Sequence, residues 1–351
     1  MKKSLVALAV LAVSGIASAQ STVTLYGIVD VWVGTVKDNN LSQSGVNVTH
    51  PASGNGGGLQ TSRWGLKGSE DLGGGLKANF LLEAGFDPST GTANNYTNPF
   101  TGATSNAIFG RQSWVGFSGG FGEVKFGKMW TPFDMVKGSG AAGFDSLLFA
   151  PATSVWASNS YQDRPGNSVY YETPSFGGFT AAASYSFGEN KTAAVGAGKI
   201  ASMNVAYANG PIGASLAYQS EKATAAATAI KYTQLNGSYD FGVVKLLGAY
   251  GNVKDGVTPL TGVAASKTKE YQIGLDFPVS SALTLSGGFA RSKSTLPAGA
   301  ASLKRTGYGV AALYALSKRS SLYAGTQSAK ETGGAAERKT TTYGVGIRHT
   351  F

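Results

Sequence analysis

A chain of 351 residues with 50 glycines, no cysteine and only 14% charged residues is poor in charge, against about 25% for an ordinary soluble domain. The absence of cysteine excludes disulfides, thiolate metal sites and a cysteine nucleophile. The formal charge of +10 is scattered, with no basic run beyond SKRS at 317–320, so no nucleic-acid-binding tract is expected.

The first segment, MKKSLVALAVLAVSGIASA, joins Lys2 and Lys3 to an apolar stretch from Leu5 to Val13 and a small-x-small site at Ala17-Ser18-Ala19. This is the pattern of a secretory signal peptide, and its apolar part is too short to span a bilayer. Residues 1–19 are expected to be removed at about Ala19/Gln20, leaving 20–351 as the mature unit. No later run reaches about 18 apolar residues, so membrane-spanning helices are excluded.

Strict alternation takes their place. TVTLYGIVDVWV (22–33) is followed by RWGLKG (63–68), with Trp64 and Leu66 on one face and Arg63, Gly65 and Lys67 on the other. The turn EDLGGG leads into LKANFLLEAGF (76–86), which places Lys77 and Glu83 opposite Leu76, Phe80 and Phe86. Further alternating segments are expected near 107–118, 123–129, 167–173, 179–187, 200–209, 212–220, 231–241, 244–253, 269–279, 283–292, 305–315, 322–328 and 340–351, about sixteen in all. Short connections such as NGP and DFG alternate with long ones such as 37–59, 87–106 and 130–166. That layout predicts an all-β, antiparallel transmembrane barrel of sixteen strands, with short periplasmic turns and long extracellular loops. A soluble β-sandwich is the competing fold, but it should show fewer long loops. The last segment, TTYGVGIRHTF, would close the barrel against TVTLYGIVDV, since a barrel leaves no edge unpaired. Aromatics near strand ends (Tyr26, Tyr185, Phe187, Tyr207, Tyr218, Tyr239, Phe241, Phe277, Tyr314 and Phe351) suit the interfacial girdles.

The stretches TLYGIVD (24–30), SRWGLKGSEDLGGGLKANFLLEAGF (62–86), FGRQSWVGFSGGFGEVKFGKMWTPF (109–133), NSVYYETPSFGGF (167–179) and YGVGIRHTF (343–351) lie in order along the mature chain. In these residues the sequence resembles the general porins of Gram-negative outer membranes, most closely those of beta-proteobacteria. The resemblance implies a homotrimer of sixteen-stranded barrels in the outer membrane, surrounded by its lipids and lipopolysaccharide. It implies that the third long loop, about 130–166, folds inward and narrows the pore. It also implies that Tyr343, Val345, Ile347 and Phe351, with His349 between them, form the signal read by the barrel-assembly machinery.

A pore works through a charged constriction, with opposed basic and acidic groups setting the field that filters ions. Alternation places Arg63 and Arg111 on the face opposite Trp64, Leu66 and Trp114. That face must be the lumen, because an arginine against lipid costs about 2–4 kcal/mol at mid-membrane. By resemblance these two belong to a basic ladder on the wall. Many relatives carry a basic residue at the position of Tyr170, so Arg164 is expected to substitute as the third. The opposing acids are expected on the inward loop, at Asp134 and Asp145, with Asp163 nearby and Lys137 adding positive charge. Asp30, Lys67, Lys77 and Glu83 share lumen parity, Asp30 and Glu83 as partners of arginines or loop backbone. Arg305 and Arg348 are expected inward at the rims. Aromatics with inward parity (Tyr26, Trp32, Tyr170) are too sparse for a sugar track.

Catalysis is not expected. The chain has only His50 and His349 as potential bases, neither with a serine or acid partner at a motif spacing, and no metal-binding motif. No cofactor is implied. The expected function is general diffusion of small hydrophilic solutes and ions, with a weak to moderate anion preference. The alternatives are a channel specific for phosphate, sugar or small organic acids, and a surface adhesin on a barrel scaffold.

Overall fold

The computed structural model describes residues 22–39, 41–48, 57–258, 263–297, 302–334 and 336–351. The expected signal peptide with its cleavage point, and His50, lie outside the described residues. In chain order the strands are β1 (Thr22–Asp38), β2 (Leu41–Val46), β3 (Arg63–Gly73), β4 (Leu76–Gly85), β5 (Asn95–Thr97), β6 (Thr104–Asn106), β7 (Gln112–Gly119), β8 (Gly122–Lys128), β9 (Ser168–Glu172) and β10 (Phe179–Phe187). They continue as β11 (Ala197–Asn209), β12 (Ile212–Thr224), β13 (Ile230–Asp240), β14 (Lys245–Val257), β15 (Ala264–Pro278), β16 (Leu283–Thr295), β17 (Leu303–Ala315), β18 (Ser320–Thr332) and β19 (Arg338–Thr350).

Sixteen of these form a closed antiparallel barrel. The small strands β2, β5 and β6 belong to loops: β2 folds back on the upper half of β1, and β5 pairs with β6. The alternation explains the closure. On β19, Tyr343, Val345 and Ile347 are exposed while Thr342 and Gly344 are buried, so its polar face turns inward. β19 pairs with β1 from Ile28↔Thr350 to Asp38↔Thr340, and β1 pairs on its other side with β3 from Thr22↔Ser69 to Ile28↔Arg63. Phe351 completes the seam by exchanging backbone hydrogen bonds with Gly27 at 3.0 and 3.1 Å. A terminal strand paired on both sides satisfies its backbone groups in a medium that offers no water.

The EDLGGG segment turns sharply, and Gly73, Gly74 and Gly75 have φ of 86°, 61° and 81°, a conformation in which a Cβ would clash. The wall is uneven. β11 to β19 run 11–15 residues, whereas β7, β8 and β9 have only 8, 7 and 5. At about 3.3 Å per residue, the chain leaving β8 departs from the wall well below the rim. The loop between β8 and β9 therefore enters the lumen rather than standing above it.

Two expectations about side-chain direction need correction. Tyr26 is no girdle residue: its hydroxyl donates to Glu83 Oε2 (3.0 Å) inside the barrel. Trp114 also faces the lumen, because it pairs with Leu81, two residues from Glu83 on the inner face, and packs with Met129, Tyr170 and Ala182. Arg111 still points inward, but by a different route. The strand begins at Gln112, so Arg111 lies outside the alternation and bends toward Glu83.

Candidate pore constriction

The segment from Met129 to Asn167 crosses the lumen as helix α1 (Pro132–Lys137) and a series of 3-10 turns. The helix starts where Thr131 Oγ1 accepts from the Asp134 N–H (3.4 Å) and Pro132 presets the first turn. So much irregular backbone inside a barrel needs partners. The wall supplies them from inward-facing polar residues. Asn204 Nδ2 donates to Pro132 O (2.6 Å), Gln234 Nε2 to Lys137 O (2.9 Å) and Asn236 Nδ2 to Val136 O (3.1 Å). The Phe133 N–H donates to Ser202 Oγ (3.0 Å), the Gly143 N–H to Ser286 Oγ (2.8 Å), and Ser292 Oγ to Val155 O (2.7 Å). Two wall carboxylates take loop N–H groups: Glu221 from Gln162 (2.7 Å), and Glu270 from Ala157 and Ser158. Each such bond is worth about 1 kcal/mol net, so the loop is stitched to β11–β16 along its length.

Wall glycines make the groove in which it lies. A Cβ on Gly274 would meet the Ala142 side chain at 2.3 Å, one on Gly307 the Val155 side chain at 2.7 Å, and one on Gly309 the Phe149 carbonyl at 1.9 Å. Opposite, the β3–β4–β7 wall is left clear.

That clear wall carries the basic group. Arg111 Nε lies 2.7 Å from Glu83 Oε1 and Arg63 Nε lies 3.7 Å from Glu83 Oε2, so one carboxylate serves both guanidiniums. Arg164, at the loop's return end, pairs with its neighbour Asp163 at 2.9 Å. The guanidiniums of Arg164 and Arg111 both lie over the Trp130 ring, 4.2 and 5.4 Å from its centroid. Lys128 adds a further cation here: its Nζ donates to Arg164 O and lies 4.0 Å above the Tyr96 ring.

The acids come from the loop. Asp134 accepts from the Tyr161 hydroxyl and faces Lys137 and Asp163. Burial pushes its pKa up to about 6, helped by Asp163 and opposed by Lys137, the Tyr161 hydrogen bond and Arg164. Asp145, exposed to the lumen, sits in a left-handed turn where it and Phe144 have φ of 48° and 61°. These groups line one cavity of about 510 Å³ that holds Arg63, Arg111, Arg164, Asp134, Asp145 and Trp130. Its walls also include Lys137, Tyr161 and Asp163.

The remaining residues separate by height and face. Asp30 is buried, accepting from the Gln60 N–H (2.8 Å) and the Tyr323 hydroxyl, so it anchors loop backbone. Lys67 and Lys77 lie lower, in a second cavity toward the short turns. Arg305 is buried against Glu331 on the far wall, and Arg348 faces inward opposite Asp30. Tyr343, Val345, Ile347 and Phe351 are on the outer face. Trp130, Tyr161 and Lys128 join the site without a motif that marks them. Their one sequence signal was the density of aromatic and basic residues around KMWTPF. Among the described residues no group of His, Cys, Asp and Glu is arranged to hold a metal ion.

Residues 4–350 match the family model described as Gram-negative porin. The chain is 33% identical, over 100% of both sequences, to an outer membrane porin protein of Bordetella pertussis. It is 37% identical to outer membrane porin protein 32 of Delftia acidovorans over 80% of this chain and 76% of the relative. Among solved structures, the anion-selective porin from Comamonas acidovorans superposes with a TM-score of 0.74 at 30% identity, covering 95% of this chain and 100% of the other.

Proposed function

Because this chain belongs to the Gram-negative porins, channels of the outer membrane, we propose that it is an anion-preferring diffusion pore whose filter is the gap between Arg63, Arg111 and Arg164 and the loop acids Asp134 and Asp145. Solutes cross passively, driven by their own gradients. Size is set by the inward loop and charge by the opposed groups.

The observation that carries the sign is the crowding of cations at the clear wall. Arg63, Arg111 and Arg164, with Lys128 beside them, share Glu83 and Asp163 as their close carboxylates. The Arg164 side chain is 19% accessible and lines the cavity, so its guanidinium can meet a passing anion. The name of the similar Comamonas porin agrees with that sign. Asp134, Asp145 and Asp163 line the same cavity and offset part of this positive charge, so the preference is weak to moderate. Reversal potentials of purified protein in a planar bilayer under a KCl gradient test it. A potential on the chloride side is expected, and one on the potassium side overturns the assignment.

The functional unit is a homotrimer, as is usual in the family, set in outer-membrane lipid and lipopolysaccharide. Three-level closure of single reconstituted units is the expected electrical signature. Residues 1–19 direct export and are removed. The outward row Tyr343, Val345, Ile347 and Phe351 guides assembly by the barrel-assembly machinery. No catalytic step is assigned to any residue.

A further inference from the structure

The charged constriction does not end the sequence of cations on this wall. Below it, toward the short turns, two lumen-facing lysines, Lys67 and Lys125, lie over aromatic rings. Lys67 Nζ is 5.4 Å from the Tyr26 centroid. Lys125 Nζ lies between two rings, 4.9 Å from Trp114 and 4.8 Å from Tyr170. With Trp130 under Arg111 and Arg164 above, cations and rings descend the β1, β3, β7, β8 and β9 wall together. The register gives the order. Glu83 pairs with Gln112, Leu81 with Trp114, and Asn79 with Gly116, which in turn pairs with Lys125. From Arg63 to Lys67 the step is four residues along β3, about 13 Å.

The lower part of this path lines a cavity of about 600 Å³ that includes Lys67, Lys77, Asn79, Trp114, Glu123 and Glu172. The two acids are partly engaged. Glu123 pairs with Lys125 at 2.7 Å, and Glu172 accepts from the Tyr170 hydroxyl. Among the described residues no carboxylate comes within ion-pair distance of Lys67 or Lys77. The cavity thus presents unpaired ammonium groups beside the half-buried ring of Trp114. A solute matching both has a carboxylate and a flat π surface, so that the carboxylate meets Lys67 or Lys77 while its ring stacks on Trp114.

We propose that this wall is a binding track for aromatic carboxylates, with its principal station at Trp114, Lys67 and Lys77 on the periplasmic side of the constriction, where Lys125 and the buried Tyr170 back the Trp114 ring. The inference rests on the anion-preferring pore reading and adds a substrate class to it. A purely electrostatic ladder would treat all monocarboxylates alike. This one distinguishes them by the faces beside the charges.

The test compares benzoate with cyclohexanecarboxylate, which has the same charge and nearly the same volume but no π face. Both are titrated, from the periplasmic side, into single channels of the whole protein in a planar bilayer, and the block of chloride current is read. An aromatic contact of about 0.5–1 kcal/mol gives a half-blocking concentration roughly 2–5-fold lower for benzoate. Trp114→Leu is expected to remove that difference while leaving the chloride-to-potassium ratio unchanged. Lys67→Gln is expected to weaken block by both acids. Lys67 is exposed, so this variant should assemble, and if Trp114→Leu assembles poorly the benzoate-to-cyclohexanecarboxylate ratio in the native channel still decides. Equal block by the two acids in the native channel overturns the track even where anion preference is intact. A potassium-side reversal potential in the same bilayers overturns the underlying pore reading instead, so the two failures are told apart.

Discussion

Replacing Arg111 by alanine removes one positive charge from a cluster whose shared counter-charge stays behind. Arg111 is 5% exposed and holds Glu83 Oε1 at 2.7 Å. In the variant Glu83 keeps the Tyr26 hydroxyl and, as its cationic partner, Arg63 at 3.7 Å. An ion passing about 7 Å from the lost charge in a water-filled lumen loses about 0.6 kcal/mol of interaction. Screening over a Debye length of about 10 Å roughly halves this. The change has opposite sign for chloride and potassium, so the difference between them is again about 0.6 kcal/mol, or about threefold in the permeability ratio. Reversal potential under a KCl gradient reads this directly, and Glu83→Gln supplies the mirror image by raising the ratio by a similar factor. An unchanged ratio in Arg111→Ala, with single-channel conductance showing an intact pore, would refute the placement of Arg111 at the filter. A fall in both variants would refute the electrostatic account altogether.

Three further outcomes are expected. Lowering the pH from about 7.5 to about 5 protonates Asp134, whose pKa is raised to about 6 from the ordinary aspartate range. The lumen loses a negative charge and anion preference rises, an effect that Asp134→Asn should abolish in the same reversal-potential measurement. Gly309→Val places a side chain where the Phe149 carbonyl lies 1.9 Å from the new Cβ; the loop is displaced, and conductance and the size limit for sugars in liposome swelling both rise. Deleting Phe351 removes the seam bonds to Gly27 and should lower the yield of assembled protein while leaving conductance per assembled pore unchanged; normal yield on unheated gels would contradict the assembly role.

Much of the architecture was legible because a barrel wall repeats one simple rule. Each strand must show an apolar face to lipid and a polar or small face to water, and sixteen segments obey it closely enough to be located in the chain. The same rule fixed the inward direction of Arg63, Lys67, Lys77 and Glu83 on β3 and β4, and the closure of β19 on β1. It failed where the strand had not begun. Arg111 precedes β7, so alternation counted forward from it turns Trp114 to the wrong face and hides a lumen aromatic central to the lower path. Tyr26 suits the girdle by its place near a strand end, although its parity points inward.

Other features were decided only in three dimensions. Gly274 lies on β15 and Gly307 and Gly309 on β17, and nothing local marks them as the bed of a loop more than a hundred residues earlier in the chain. Arg63 and Arg111 share Glu83 because β3, β4 and the start of β7 bring them to one level. Arg164 joins them because its loop returns past Trp130. Alternation is a one-dimensional constraint imposed by the membrane at every residue, so the sequence must carry it openly. The field inside the pore depends on which charges from distant strands end at the same height, and that is set by register, strand length and the path of one loop across the lumen.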